Sequence, residues 1–166
     1  MDLRIDSLWL SIRGMIRQKL KSLGLDLPKL AGPFGSYIPA KRAGNLIFVA
    51  GQLPMKDGKL TVSGPVPSKV TIEQAQDAAK ICVLNALGSV ATLGDDVVDR
   101  LSGVMRVGCF VQSDNGFDMQ PKVANAASEF LIQLFGESGR HVRAAVGTNA
   151  LPLNASVEID FVFELS

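Results

Sequence analysis

Two residues near the C-terminal end have the types and setting to do chemistry. Arg143 stands among small residues, and Glu158 lies in a second extended stretch beyond a Leu-Pro loop. A guanidinium presents a planar fork of donors that fits a carboxylate through two bonds at once. An arginine beside Ala144 and Ala145 is therefore a socket for a small carboxylate ligand. A carboxylate held close to that socket could move a proton or orient a water. The competing reading is structural, an Arg–Glu ion pair on a sheet that needs no ligand. Around Glu158, the residues Val157, Ile159, Phe161, Phe163 and Leu165 alternate along the chain. That period predicts one buried face, with Glu158 and Asp160 on the other.

Other chemistries find little support. Cys82 and Cys109 sit in apolar surroundings and read as buried, reduced thiols, and a catalytic thiol needs a base that only His141 could supply. One histidine and two scattered cysteines do not make a zinc site, so neither metal nor cofactor is expected. Regular alternation places His141 on the same side as Arg143, although a lone histidine is more often structural. A net charge of +1 and 6% aromatic residues argue against a nucleic-acid partner. No apolar run has the length of a membrane span. Asn154-Ala155-Ser156 matches a glycosylation sequon without a secretory signal before it, so a cytoplasmic location is expected.

The elements that must position these residues follow from periodicity. At 166 residues with 47% hydrophobic content, the chain suits one domain with a real core. Residues 1–26 read as an amphipathic helix and extension, with Leu8, Ile12, Ile16, Leu20 and Leu23 at helical spacing and a stop at Gly24. It would pack on the domain or on a neighbouring subunit. A targeting or membrane-surface role is opposed by Asp2 and Asp6. Residues 27–166 form the domain. A hairpin turning at Gly44-Asn45 comes first, with a second tight turn over Lys56 to Lys59. Thr71 and Gln74 open the clearest helix in a capping-box pattern, and that helix runs to about Leu93 with a face of small residues. A strand over 103–111, a helix after Asp118 that admits Pro121 in its first turn, and two closing strands complete the order. Hairpins at both ends around two helices predict an α+β domain, a mixed β-sheet with both helices on one face. The other face of that sheet needs a partner, which a homo-oligomer with ligand sites between subunits would provide.

With these residues placed, the chain resembles the RidA/YjgF family, also called L-PSP endoribonuclease-like proteins, over about residues 27–166. The residues that carry the resemblance are Tyr37, Gly44-Asn45 and Gly51-Gln52-Leu53-Pro54 at the start, then Arg143, Leu151-Pro152 and Val157-Glu158-Ile159 at the end. A helical asparagine of the family corresponds to Asn125. The resemblance implies a chorismate-mutase-like fold of the bacillus type, a homotrimer, and clefts between subunits. It implies hydrolysis of amino-acid-derived enamine/imine intermediates to 2-oxo acids and ammonia, without cofactor or metal. Alternatives are a non-catalytic protein that binds small carboxylates such as 2-oxo acids and, less well supported, an endoribonuclease or translation inhibitor. Arg143 would clamp the substrate carboxylate and Glu158 would handle the water. Tyr37, Ala50, Gly51, Asn125 and Ala145 would line the pocket, with backbone N–H groups near Gly51 and Ala145. Deaminating members commonly carry a hydroxyl residue where Ala50 stands and a cysteine where Ala145 stands. His141 replaces a usual proline or alanine, which marks a divergent subgroup.

Overall fold

The computed structural model describes residues 15–30 and 35–166. Helix α1 (Met15–Ser22) is the described part of the N-terminal helix, and its expected earlier turns lie outside the described residues. Strands β1 (Ala40–Ala43) and β2 (Leu46–Gln52) form the first hairpin, with Gly44 at a φ of 62° in its turn. The short strands β3 (Met55–Lys56) and β4 (Lys59–Leu60) flank Asp57 and Gly58, both at positive φ. Two consecutive left-handed residues are what a tight two-residue hairpin demands. Helix α2 (Ile72–Ala91), strand β5 (Leu101–Gln112), helix α3 (Gln120–Phe135), and strands β6 (Val142–Thr148) and β7 (Val157–Leu165) follow.

Helix α2 starts where the capping pattern says it should. The Gln74 backbone N–H donates to Thr71 Oγ1 at 3.2 Å, and the Thr71 N–H donates to Gln74 Oε1 at 2.9 Å. Two of the donors left over at the helix start are thereby satisfied, a gain of about 1 kcal/mol. Its small face (Ala75, Ala78, Ala79, Cys82 and Ala86) is buried, so the helix lies close on the sheet.

The five-stranded sheet has the order β1-β2-β7-β5-β6, antiparallel except for the parallel pair β5–β6. It is mixed, with α2 and α3 packed on one face, as expected. The last two strands are a correction to the expected closing hairpin. They do not pair: β7 inserts between β2 and β5, while β6 runs along the outer edge of β5. Burial accounts for the placement. Strand β7 is buried at every alternate residue and half-buried at those between, so it belongs in the middle of the sheet. Strand β6 carries small and polar residues that stay mostly exposed, which an edge tolerates.

Helix α1 docks on the domain through buried Ile16 and Leu20 and an ion pair from Arg17 Nε to Asp99 Oδ2 at 3.1 Å. From Gly24 the segment Leu25 to Leu30 crosses α2 at Gly88, where a Cβ would come within 2.7 Å of the Pro28 carbonyl oxygen. A glycine in mid-helix weakens the helix by itself. Here it admits the crossing backbone.

Candidate functional site

Register decides which side chains can meet. Val107 pairs with Arg143 on one side and with Phe161 on the other, and both Val107 and Phe161 are buried beneath the helices. Arg143 therefore points to the helix-covered face, at its exposed rim. Phe110 pairs with Val146 and with Glu158, on the opposite, open face. Within one chain the two proposed catalytic residues lie on opposite faces, with β5 between their strands. The structural ion pair weighed in the sequence is thus absent, and so is the single-chain socket.

The Arg143 half is built on α3. Nη1 of Arg143 donates to Asn125 Oδ1 and to Ser128 Oγ, each at 3.0 Å. Asn125 and Ser128 are three apart on the helix, hence on one face of it. Both hold the same nitrogen, so Nη2 and Nε have no partner among the described residues and are available to a carboxylate. Ala145, one alternation further along β6, is half-buried and packs on the core, leaving a low floor beside the fork. The register partner of Ala145 on β5 is Cys109, whose thiol burial pushes up to about 12, so it stays protonated.

The Glu158 half is built on the β2–β7 pair. Between Val49 and Gln52 the register of that pair shifts, and Ala50 and Gly51 occupy the irregularity. The Glu158 side chain lies over Gly51, where a Cβ would collide with Oε1. Burial holds the Glu158 carboxyl above its ordinary value, and the nearby Asp160 charge raises it further. Asp160 itself lies across Gly108 and accepts from Arg106 Nη1 at 2.5 Å. Tyr37, Ala50, Gly51, Leu153 and Glu158 line a shared cavity of about 1280 Å³. A small-ligand site encloses roughly 300–1,000 Å³, so this cavity needs another wall to grip a small acid.

The described structure thus brings Arg143 together with Asn125, with Ala145 next along the strand, and Tyr37 together with Ala50, Gly51 and Glu158. It does not bring one set to the other. The sequence reading missed Ser128. Its signal was the Asn125-x-x-Ser128 spacing, which sets a second polar group on the face that already carries a candidate. Leu153 was missed too: it is exposed at a φ of 56° in the loop before β7.

Comparisons with known proteins agree with this architecture. The family described as "YjgF/chorismate mutase-like, putative endoribonuclease" matches residues 17–165, and the chain belongs to it. Protein TCP17 of Trypanosoma cruzi is 37% identical over 92% of this chain and 96% of its own length. A 2-iminobutanoate/2-iminopropanoate deaminase of Dermatophagoides farinae is 27% identical over 83% of this chain and 92% of its own. Among solved structures, an Agrobacterium tumefaciens protein of unknown function superposes with a TM-score of 0.86 at 40% identity, covering 97% of this chain and 99% of that one.

Proposed function

We propose that this protein hydrolyses amino-acid-derived enamine/imine intermediates to 2-oxo acids and ammonia, in clefts formed between copies of a homotrimer. The observation that carries the reading is the Arg143 fork, held at one nitrogen by Asn125 and Ser128 with its remaining donors unengaged. Such a fork binds a carboxylate with little ordering cost. The Glu158 carboxyl, held above its ordinary value by burial, is a stronger base than an exposed carboxylate, as a proton-transfer group requires.

In this reading the substrate R–C(=NH)–COO⁻ sits with its carboxylate on Arg143 of one copy and its imine carbon facing Glu158 of the next. Water adds to that carbon while Glu158 takes one of its protons and returns it to the imine nitrogen, giving the carbinolamine R–C(OH)(NH₂)–COO⁻. Glu158 then takes the hydroxyl proton and passes it to the departing nitrogen as the C–N bond breaks, giving R–CO–COO⁻ and NH₃. Imines hydrolyse unaided, so orientation and one acid–base group are enough. Backbone N–H groups near Gly51 and Ala145 complete the polar contacts, and Tyr37 walls the cleft. The open face of the sheet supports assembly. Phe48 and Val146 are 48% and 46% exposed there, and Val142 is 71% exposed, an apolar surface that asks for cover.

A binding protein for 2-oxo acids is the second reading, favoured by Ala50 and Ala145, which remove two polar side chains from the pocket. Ammonia release from imines generated in situ separates the two. We expect acceleration by the wild type and a loss of about 10- to 100-fold or more in Arg143→Ala, the effect of a charge-assisted hydrogen bond to substrate. Saturable 2-oxo acid binding without turnover would select the second reading instead. RNA cleavage is expected from neither, since the chain carries a net charge of only +1.

A further inference from the structure

The only histidine of the chain stands beside the Arg143 half, and its hydrogen bonds determine its tautomer. His141 Nδ1 lies 2.7 Å from the Gly139 carbonyl oxygen, and Nε2 lies 2.9 Å from Ser128 Oγ. A carbonyl only accepts, so Nδ1 must bear the proton. On a neutral ring Nε2 is then an acceptor, and the Ser128 hydroxyl donates to it. That fixes the Ser128 proton away from the arginine and turns an oxygen lone pair toward Arg143 Nη1, 3.0 Å away. The four groups form one directed chain, in which Arg143 donates to Ser128, Ser128 donates to His141, and His141 donates to Gly139.

We infer that His141 is a positioning residue, which acts through Ser128 to hold the Arg143 fork and does so only as the neutral, Nδ1-protonated ring. A second proton on Nε2 would reverse the His141–Ser128 bond. The hydroxyl hydrogen would then have to leave Nε2 and compete with Nη1 for space on the serine oxygen. An imidazolium would also face the guanidinium directly. Charged side chains on the surrounding elements are Lys122 and Glu129 on α3, Glu137 on the turn after α3, Arg106 on β5, and Arg140 and Arg143 on the histidine's own segment. Glu137 is engaged by Arg140 at 2.8 Å, and Arg106 is engaged by Asp160 on the far face. Burial accordingly holds His141 below its ordinary value. The bond to the Gly139 carbonyl pulls it partly back, and the Arg143 charge lowers it again. The net shift favours the neutral ring, the state the relay needs.

The inference rests on Arg143 as the carboxylate clamp, so its test has one arm that needs no ligand. Because there is a single histidine, long-range ¹H–¹⁵N correlation spectra of labelled protein report His141 unambiguously. One neutral tautomer with the proton on Nδ1 is expected at pH 7.5. A ring protonated on Nε2, or averaged between the tautomers, overturns the relay whatever the ligand. The second arm measures 2-oxobutanoate binding from pH 8 to pH 5 in a Glu158→Gln background, which removes that carboxyl's own titration. Affinity is expected to fall about tenfold as His141 gains its proton. His141→Gln, which offers an uncharged acceptor to Ser128, should keep the high-pH affinity and lose the pH step. Ser128→Ala should bind weakly at every pH. A wild-type pH step persisting in His141→Gln overturns the relay and leaves the deaminase reading standing. A wild type that does not bind 2-oxobutanoate removes the carboxylate clamp, and the tautomer then decides the relay alone.

Discussion

Glu158 carries a cost to stability that can be measured without substrate. Its carboxyl is raised above the ordinary value of 4.5 by burial first and by Asp160 second. A group whose folded value is raised contributes stability that is present below its unfolded value and lost as pH rises through the folded one. Glu158→Gln cannot ionise, so it should melt at a higher temperature than the wild type at pH 7 and show no advantage below pH 4. Its turnover should drop by about 10²- to 10⁴-fold, as for loss of a general acid–base group. Paired thermal melts and ammonia assays check both halves; an unchanged rate would remove Glu158 from the chemistry. The trade of stability for a poised carboxyl is familiar at catalytic sites.

The elements expose two glycines to direct test. At Gly51 on β2, a methyl group would meet the Glu158 carboxylate, the far end of a side chain that can swing away. Gly51→Ala should therefore leave the melting temperature nearly unchanged while turnover falls by about tenfold or more, because displacement by an ångström is costly to alignment. Gly88 on α2 is the opposite case. Its neighbour is the backbone oxygen of Pro28, which can move only if the Leu25 to Leu30 segment lifts. Gly88→Val should cost about 1–3 kcal/mol in urea unfolding and open residues 24–30 to limited proteolysis. An unchanged cleavage pattern would show that the crossing is not held there.

For the molecule as a whole, the separation of Arg143 and Glu158 onto opposite faces means that the proposed mechanism requires more than one copy of the chain. In a shared cleft, Arg143→Ala and Glu158→Gln subunits should each be inactive in isolation. Co-expressed, they should recover about a quarter of wild-type activity, because random mixing places an intact Arg143 opposite an intact Glu158 in one cleft of four. Sedimentation would report the assembly itself. No recovery from well-formed mixed oligomers would place the chemistry within a single chain or abolish it.

Much of the local structure was legible in the residues alone. The capping pattern at Thr71, the Gly44-Asn45 and Asp57-Gly58 turns, the alternation along Val157 to Leu165 and the buried small face of α2 each depend on contacts a few positions apart. Periodicity records such contacts directly. It also showed that Glu158 opposes the buried face of its own strand. The amino-acid order could not show that β7 would pass β6 by and settle beside β2, nor that β5 would divide Arg143 from Glu158. Alternation tells which face of a strand is buried; it is silent on which strand lies next to it. Pairing partners are chosen by long-range burial, and here the all-apolar side of β7 claimed the centre while small-residue β6 was left at the rim. The link from Gly139 through His141 and Ser128 to Arg143 arose in the same way, where an edge strand met a helix.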